Sequence, residues 1–311
     1  MFFHKKRNVN GLLLLDKPKG ISSNNALQQV KSIFKAKKAG YIGTLDPLAT
    51  GILPICFGES TKFSRYLSES DKKYHVIAKL GEKTSTSDSD GVIIKKRPIV
   101  FTALQFYSSI KSLIGSIDQV PPMYSAIKYN GISLYKYARQ GLDINRNSRK
   151  ISIYNINSIN QKNNFFEFEV FCSKGTYIRT LVEDLGEKLG CGAHVIFLRR
   201  IKVGSYICEK LVTIYDLNKL LKKDNIKHNS FFKNIDDLLM PIDSPISFLP
   251  EVYISSEESY TFKLGKTIDC CSNIENSLVR VKEKDKEFIG LGKINKKGLL
   301  IPYRLVSTVT N

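Results

Sequence analysis

Residues 40–51 cannot form a regular helix or strand. Gly40, Gly43, Pro47 and Gly51 put three glycines and a proline into twelve positions, the composition of a loop with a fixed shape. Before it, Ser22 or Ser23 can cap a helix with Leu27, Val30, Ile33 and Phe34 at helical spacing. After it, residues 52–57 read as a buried strand. The loop's only acid is Asp46, placed just before Pro47. A turn aspartate that caps its own backbone fits this position, and so does a carboxylate held rigidly for chemistry. The nearest acids in sequence are Asp16 and Glu59. That leaves no ready carboxylate pair and counts against a two-carboxylate glycosidase.

Elsewhere the hydrophobic pattern switches between the two regular periods. Residues 11–15 read as a strand entering a turn at 16–20. Tyr74, Val76, Ala78 and Leu80 alternate with His75, Ile77 and Lys79, and residues 165–171 alternate likewise. Both stretches predict strands. Leu181, Val182, Leu185 and Leu189 predict a helix that starts near Thr180 and stops at Gly190. Residues 102–114 predict another, with Leu104, Ile110, Leu113 and Ile114 inward. Residues 193–203 predict an apolar strand interrupted by Arg199 and Arg200. Residues 84–91 read as a polar turn; their Asp-x-Asp-Gly is too short for a calcium loop and lacks the distal Glu. Pro241, Pro245 and Pro250 punctuate a linker-like stretch, and the short apolar runs beyond it predict a small all-β module.

Lys and Arg number 48 against 29 Asp and Glu, a net charge of +19 that draws the chain to polyanions. Only eleven of the 48 are Arg, so each Arg is more telling than each Lys. Residues 124–150 interleave Tyr124, Tyr129, Tyr135 and Tyr137 with Lys128, Lys136, Arg139, Arg146, Arg149 and Lys150. Rings that stack on bases and cations that hold phosphates suit loop or single-stranded RNA. An amphipathic helix–turn segment would show the same spacing. No apolar run approaches a membrane span, and residues 12–15 are too few for the apolar region of a signal peptide. A cytoplasmic protein is therefore expected. The chain has no Cys-x-x-Cys pair and its four histidines are scattered, so no metal site is expected.

Arg179 stands at a strand-to-helix junction, where side chains commonly enter a cleft. It can hold a carboxylate by two parallel hydrogen bonds. A surface Arg would look the same in sequence, and spacing does not bring Arg179 to Asp46. Tyr74 and Tyr177 lie beside basic residues at strand ends, where packing is the ordinary use of tyrosine.

The run Ala39-Gly40-Tyr41-Ile42-Gly43-Thr44-Leu45-Asp46-Pro47-Leu48-Ala49-Thr50-Gly51 closely resembles the signature of the TruB family of tRNA pseudouridine synthases. The likeness continues in the family's order through Lys17-Pro18-Lys19-Gly20-Ile21-Ser22-Ser23, Asp71-Lys72-Lys73-Tyr74 and Gln119-Val120-Pro121-Pro122-Met123-Tyr124-Ser125-Ala126-Ile127-Lys128. It ends with Lys174-Gly175-Thr176-Tyr177-Ile178-Arg179 and Leu198-Arg199-Arg200. These motifs cover about residues 11–205. One position departs: Tyr41 stands where the family usually has histidine.

The resemblance implies an α+β fold, the pseudouridine synthase fold. Residues 1–248 would form a central, mixed, mostly antiparallel sheet flanked by helices, with a cleft across its middle and an RNA-gripping insertion at about 124–150. Residues 249–311 would form a small PUA-like β module. It further implies an isomerase, needing neither cofactor nor metal, that converts uridine 55 in the T-loop of tRNA to pseudouridine. The bond from N1 to the sugar breaks, the uracil turns, and C5 bonds to the same sugar carbon. By the resemblance Asp46 is the catalytic carboxylate, acting on the sugar carbon, on C6 of the base or on the 2′ proton. Arg179 pairs with it. Tyr74 stacks on the flipped uracil and takes part in proton transfer from C5. Tyr177 and Leu198 line the base pocket, and Tyr41 and Lys17 contact substrate. The expected partner is tRNA, with no membrane, no protein partner and a monomeric state. The alternative is a non-catalytic tRNA-binding or RNA-folding protein on the same scaffold; the complete set of Asp46, Tyr74 and Arg179 argues against it.

Overall fold

The strand periods assemble into one ten-stranded sheet. The computed structural model describes residues 6–223, 228–270, 276–284 and 287–307. Along the sheet's main path run Val212–Thr213, Gly11–Lys17, Thr50–Phe57, Ala193–Val203, Lys72–Leu80, Phe165–Cys172, Arg149–Lys162 and Gly115–Gln119. Ala39–Tyr41 and Tyr206–Ile207 pair off that path. Gly11–Lys17 pairs in parallel with Val212–Thr213, and so does Thr50–Phe57 with Ala193–Val203. The other pairings are antiparallel. The sheet is therefore mixed and mostly antiparallel, and with its helices makes the α+β class. Ala193–Val203 joins the two halves. It meets Thr50–Phe57 only at Arg199↔Thr50 and Arg200↔Gly51, but follows Lys72–Leu80 along nearly its whole length.

Two helices position the cleft. Ser22 caps Ser23–Ile33, accepting from the Asn25 amide at 3.1 Å, and Ala26, Leu27 and Val30 are buried. Ile178–Lys188 buries Leu181, Val182 and Leu185 and ends at Gly190, whose φ is +76°, a conformation that glycine adopts without strain.

Two expectations need correction. Thr102 does cap a helix, Ala103–Lys111, but Leu104 is 79% exposed and Ile114 also faces out. The buried set is Phe106, Ile110 and Leu113. That i, i+4, i+7 stripe is fixed by Phe106, whose ring meets Phe166 edge-on at 4.9 Å. The proline-rich stretch is also no free linker. It forms a short 3₁₀ turn, Ser244–Ile246, with Asp243 and Ile246 buried, and Ser244 accepts from the Tyr206 hydroxyl at 2.6 Å.

Beyond it lies a second sheet, in the order Glu251–Ile254, Leu278–Glu283, Phe288–Ile294, Leu299–Leu305 and Ile268–Asp269. Its own apolar core includes Val252, Phe262, Val279 and Leu300. Phe63, Ile246, Phe288 and Leu291 form a buried cluster that joins it to the first sheet's domain, with the two phenylalanine rings edge-on at 5.4 Å. Lys62 donates to the Leu305 carbonyl at 3.0 Å, and Arg65 to the Tyr303 hydroxyl at 2.9 Å. Residues 124–150 carry a two-stranded ribbon, Lys128–Tyr129 with Ile132–Ser133, and a short helix, Leu134–Arg139.

Gly186 sets how closely the Ile178–Lys188 helix lies on the sheet. A Cβ there would fall 2.1 Å from the Ala193 amide nitrogen and 2.4 Å from the Gly192 carbonyl carbon. In an open helix Gly→Ala gains about 1 kcal/mol. Here Gly186→Ala is expected to lower the midpoint of denaturant unfolding. An unchanged or raised midpoint would show that the helix is free to lift away.

Candidate active site

Asp46 is fixed through its backbone neighbours. The Ser23 hydroxyl donates to the Leu45 carbonyl and accepts from the Leu45 amide, each at 2.8 Å. Leu45, Leu48 and Ala49 are buried. Lys17 is wholly buried and donates to the carbonyls of Pro18 (2.9 Å), Ile21 (2.7 Å) and Pro47 (3.4 Å). The loop thus has little freedom, and the Asp46 side chain points into the cleft, 34% exposed.

Arg179 meets it there. It sits in the first turn of Ile178–Lys188, after Tyr177, whose amide and carbonyl are both held by the Gln119 side chain (2.8 and 3.0 Å). The buried guanidinium donates from Nη2 to Asp46 Oδ1 at 3.4 Å, and its Nε lies 2.9 Å from Oδ2, off the N–H direction. Nη1 donates to the Thr86 carbonyl at 3.0 Å, and Nη2 also to the Tyr124 carbonyl at 2.6 Å. A second carboxylate, that of buried Asp88, approaches Nη1 at 3.5 Å. Asp88 is itself held by the Thr86 hydroxyl and by the Asp90 amide at 3.1 Å. Arg179 therefore bridges two carboxylates and three loops.

Burial pushes the Asp46 carboxyl above its ordinary range; the Arg179 charge opposes this and the Asp88 charge adds to it. The exposed third of the side chain sees only a narrow cleft of about 260 Å³, which is why burial wins. In the same cleft, burial raises the Tyr74 hydroxyl against the pull of Arg200. Burial also lowers two ammonium groups to about 8, those of Lys72 and Lys17. Lys72 donates to the carbonyls of Ser68 (2.6 Å) and Ser70.

Of the seven residues singled out from the sequence, Asp46, Arg179, Tyr74, Tyr177 and Leu198 line this cleft. Tyr41 does not: it lies half-buried against the core on Ala39–Tyr41. Nor does Lys17, whose ammonium donates to the carbonyls of Pro18, Ile21 and Pro47 and so supports the loop. Sequence reasoning missed Asp88, Gln119, Lys72 and Arg200. Asp88 leaves no signal that separates it from a turn residue, and Gln119 and Lys72 stand in the motif stretches with nothing in their type or spacing to single them out. Arg200 did leave one, an arginine inside an apolar strand of a lysine-rich chain.

Residues 31–178 match the model of the TruB family pseudouridylate synthase N-terminal domain. Residues 179–247 match that of the tRNA pseudouridylate synthase B C-terminal domain, and residues 250–306 that of the pseudouridine synthase II TruB C-terminal region. The chain belongs to the TruB family. It is 68% identical to the tRNA pseudouridine synthase B of Buchnera aphidicola subsp. Acyrthosiphon pisum over 312 residues, 100% of both chains. It is 50% identical to that of Escherichia coli K12 over 301 residues, 96% of both. Among solved structures, a Cbf5-Nop10-Gar1 complex matches with a TM-score of 0.69 at 25% identity, over 96% of this chain and 84% of the other. An H/ACA RNP bound to a substrate RNA containing 2'-deoxyuridine matches at 0.68 and 23%, over 97% and 85%, and shares the fold.

Two outcomes follow from the buried carboxylate. Only ionised Asp46 offers a negative oxygen, so activity should rise with pH through a value above the ordinary carboxylate range. Asp88→Asn removes one charge that raises that value. The acid limb of kcat/KM is then expected to move to lower pH; a limb that stays put would show the two carboxylates to be uncoupled. The second outcome concerns stability. Because the folded value is raised, Asp46 favours folding only when protonated. That contribution is full below the unfolded value and is lost as pH rises through the folded one. Asp46→Asn is therefore expected to leave the unfolding temperature at neutral pH unchanged or higher, as thermal denaturation would read directly.

Proposed function

We infer that this chain is a tRNA pseudouridine synthase, an isomerase that converts uridine 55 of tRNA to pseudouridine. The observation that carries the reading is the Arg179–Asp46 ion pair in a cleft that Tyr74 also lines, in a chain half to two-thirds identical to proteins of that name. The reaction transfers the sugar from N1 to C5 of the same base. Attack on the sugar carbon, attack on C6 and removal of the 2′ proton all need the ionised carboxylate. Arg179 supports that form and aims it. A carboxylate beside developing positive charge on a sugar is also what glycosidases use.

The target base must leave its stack to reach this cleft, at a cost of a few kcal/mol offset by contacts in the pocket. We propose that Tyr74 stacks on it and shares in the proton transfer from C5, and that Tyr177 and Leu198 line its pocket. Residues 1–248 are read as the catalytic domain and residues 124–150 as its RNA grip. The grip's support is a set of tyrosines and cations on a segment that touches Arg179 through the Tyr124 carbonyl. Residues 249–311 are read as a PUA-like RNA-binding module, supported by their separate five-stranded sheet. The protein is proposed to act as a cytoplasmic monomer with tRNA as its partner.

Asp46→Asn is expected to bind tRNA nearly as wild type does and to release no tritium from C5-labelled uridine in tRNA transcripts. Multiple turnover by that variant would overturn the assignment of Asp46. Tight binding by wild type without tritium release would favour the non-catalytic reading.

A further inference from the structure

Arg200 has the largest side chain among those fully buried, 1% exposed. It lies on Ala193–Val203, directly across from Tyr74 on one side and from Gly51 on the other. Its Nε donates to the Ile52 carbonyl at 2.8 Å. Its Nη2 donates to the carbonyls of Gly43 at 2.8 Å and Ile42 at 3.4 Å. Tyr74 is its cross-strand neighbour, and the guanidinium charge opposes the burial that raises the Tyr74 hydroxyl. Among the described residues no carboxylate forms an ion pair with it, so a full charge is kept at the cleft on backbone carbonyl dipoles. Such a placement is costly unless the geometry it enforces is needed.

The geometry is specific. Gly43 has φ +68°, and a Cβ there would lie 2.9 Å from Arg200 Nη1. The backbone three residues before Asp46 thus rests on the guanidinium. A guanidinium has donors only, so it can meet the hydroxyl of its cross-strand neighbour Tyr74 only at the oxygen, with the O–H proton turned away. We propose that Arg200 is a positioning residue for the isomerisation, fixing the Tyr74 hydroxyl and the Gly43 end of the Asp46 loop in one frame. Lysine gathers its three donors on one nitrogen and cannot replace Nε on the Ile52 carbonyl and Nη2 on the Gly43 carbonyl with the same fixed spacing. The proposal rests on the isomerase reading and adds to it the residue that sets the Tyr74–Asp46 relation.

The test is a double-mutant cycle of Arg200→Lys with Tyr74→Phe. Each protein is assayed for single-turnover pseudouridine formation at saturating enzyme, for tRNA affinity and for thermal unfolding. Arg200→Lys is expected to slow the single-turnover step by about tenfold or more while changing tRNA affinity by less than about twofold. In the Tyr74→Phe background, where only the hold on the Gly43 end of the loop is left to lose, the same substitution should cost at least about threefold less than in wild type. Equal losses in the two backgrounds, or no loss in either, would overturn the proposal. If the lysine variant unfolds, Arg200→Gln, which removes the buried charge but keeps an N–H donor, is put through the same cycle with the same expected and overturning results. An active wild type with additive losses sinks this inference alone, whereas a wild type that forms no pseudouridine sinks the isomerase reading and this inference with it.

Discussion

Arg179 has few polar contacts that the chain brings together locally. Asp46 comes from a loop 133 residues earlier, Thr86 and Asp88 from a polar turn, and Tyr124 from the start of the exposed segment. A buried guanidinium without these partners would be strongly unfavourable. The cleft is therefore assembled around one cation, and each loop is held where its oxygen meets it. The helix that carries Arg179 is held in turn. Gln119 binds Tyr177 by both backbone groups, and Gly186 lets the helix lie against Ala193.

The same arrangement explains why Asp46 is both paired and hard to ionise. Arg179 is shared with Asp88, so its charge is not spent on Asp46 alone, and the desolvation of a carboxylate on a narrow floor exceeds what is left. A carboxylate held in this way is more basic than one in water and loses less when its charge passes to a reacting atom. Its cost falls on folding stability. Arg200 and Lys72, which also line the cleft, form no ion pair with a carboxylate among the described residues, and so the cleft keeps positive character for an anionic polymer.

Much of this frame was legible in the sequence because strands and helices announce their periods. The alternation at 74–80 and 165–171 became two neighbouring strands of the sheet, and Asp46 stood out because nothing regular fits around it. The meeting of Asp46 with Arg179 was not legible from spacing, since it depends on how strands far apart in sequence are ordered. Asp88 was read as turn chemistry, and it is in a turn. Hydroxyls and an amide do hold it there, but they hold it facing Arg179, and no local pattern encodes that. Leu104 was misassigned because a helix of nine residues offers more than one apolar stripe, and the Phe106–Phe166 contact chose between them. The prolines of 241–250 resemble a tether in composition, yet Ile246 is fully buried between the two sheets.

That last packing connects distant parts of the molecule. Phe63, locked against Phe288 of the second sheet, ends the 3₁₀ segment Gly58–Phe63, and the helix Ser64–Ser68 follows without a break. The carbonyls of Ser68 and Ser70 hold the Lys72 ammonium, and Tyr74 lies two residues further along the same strand. The docking surface of the carboxy-terminal module and the wall of the cleft are thus consecutive stretches of one chain. Pulling a base from its stack needs contacts elsewhere on the RNA to offset the cost. Those contacts can act on the base only if the surfaces making them do not yield relative to the cleft. An edge-on aromatic pair, buried isoleucine and leucine, and charged side chains clamping backbone carbonyls supply that stiffness in the stretch where a flexible linker would have lost it.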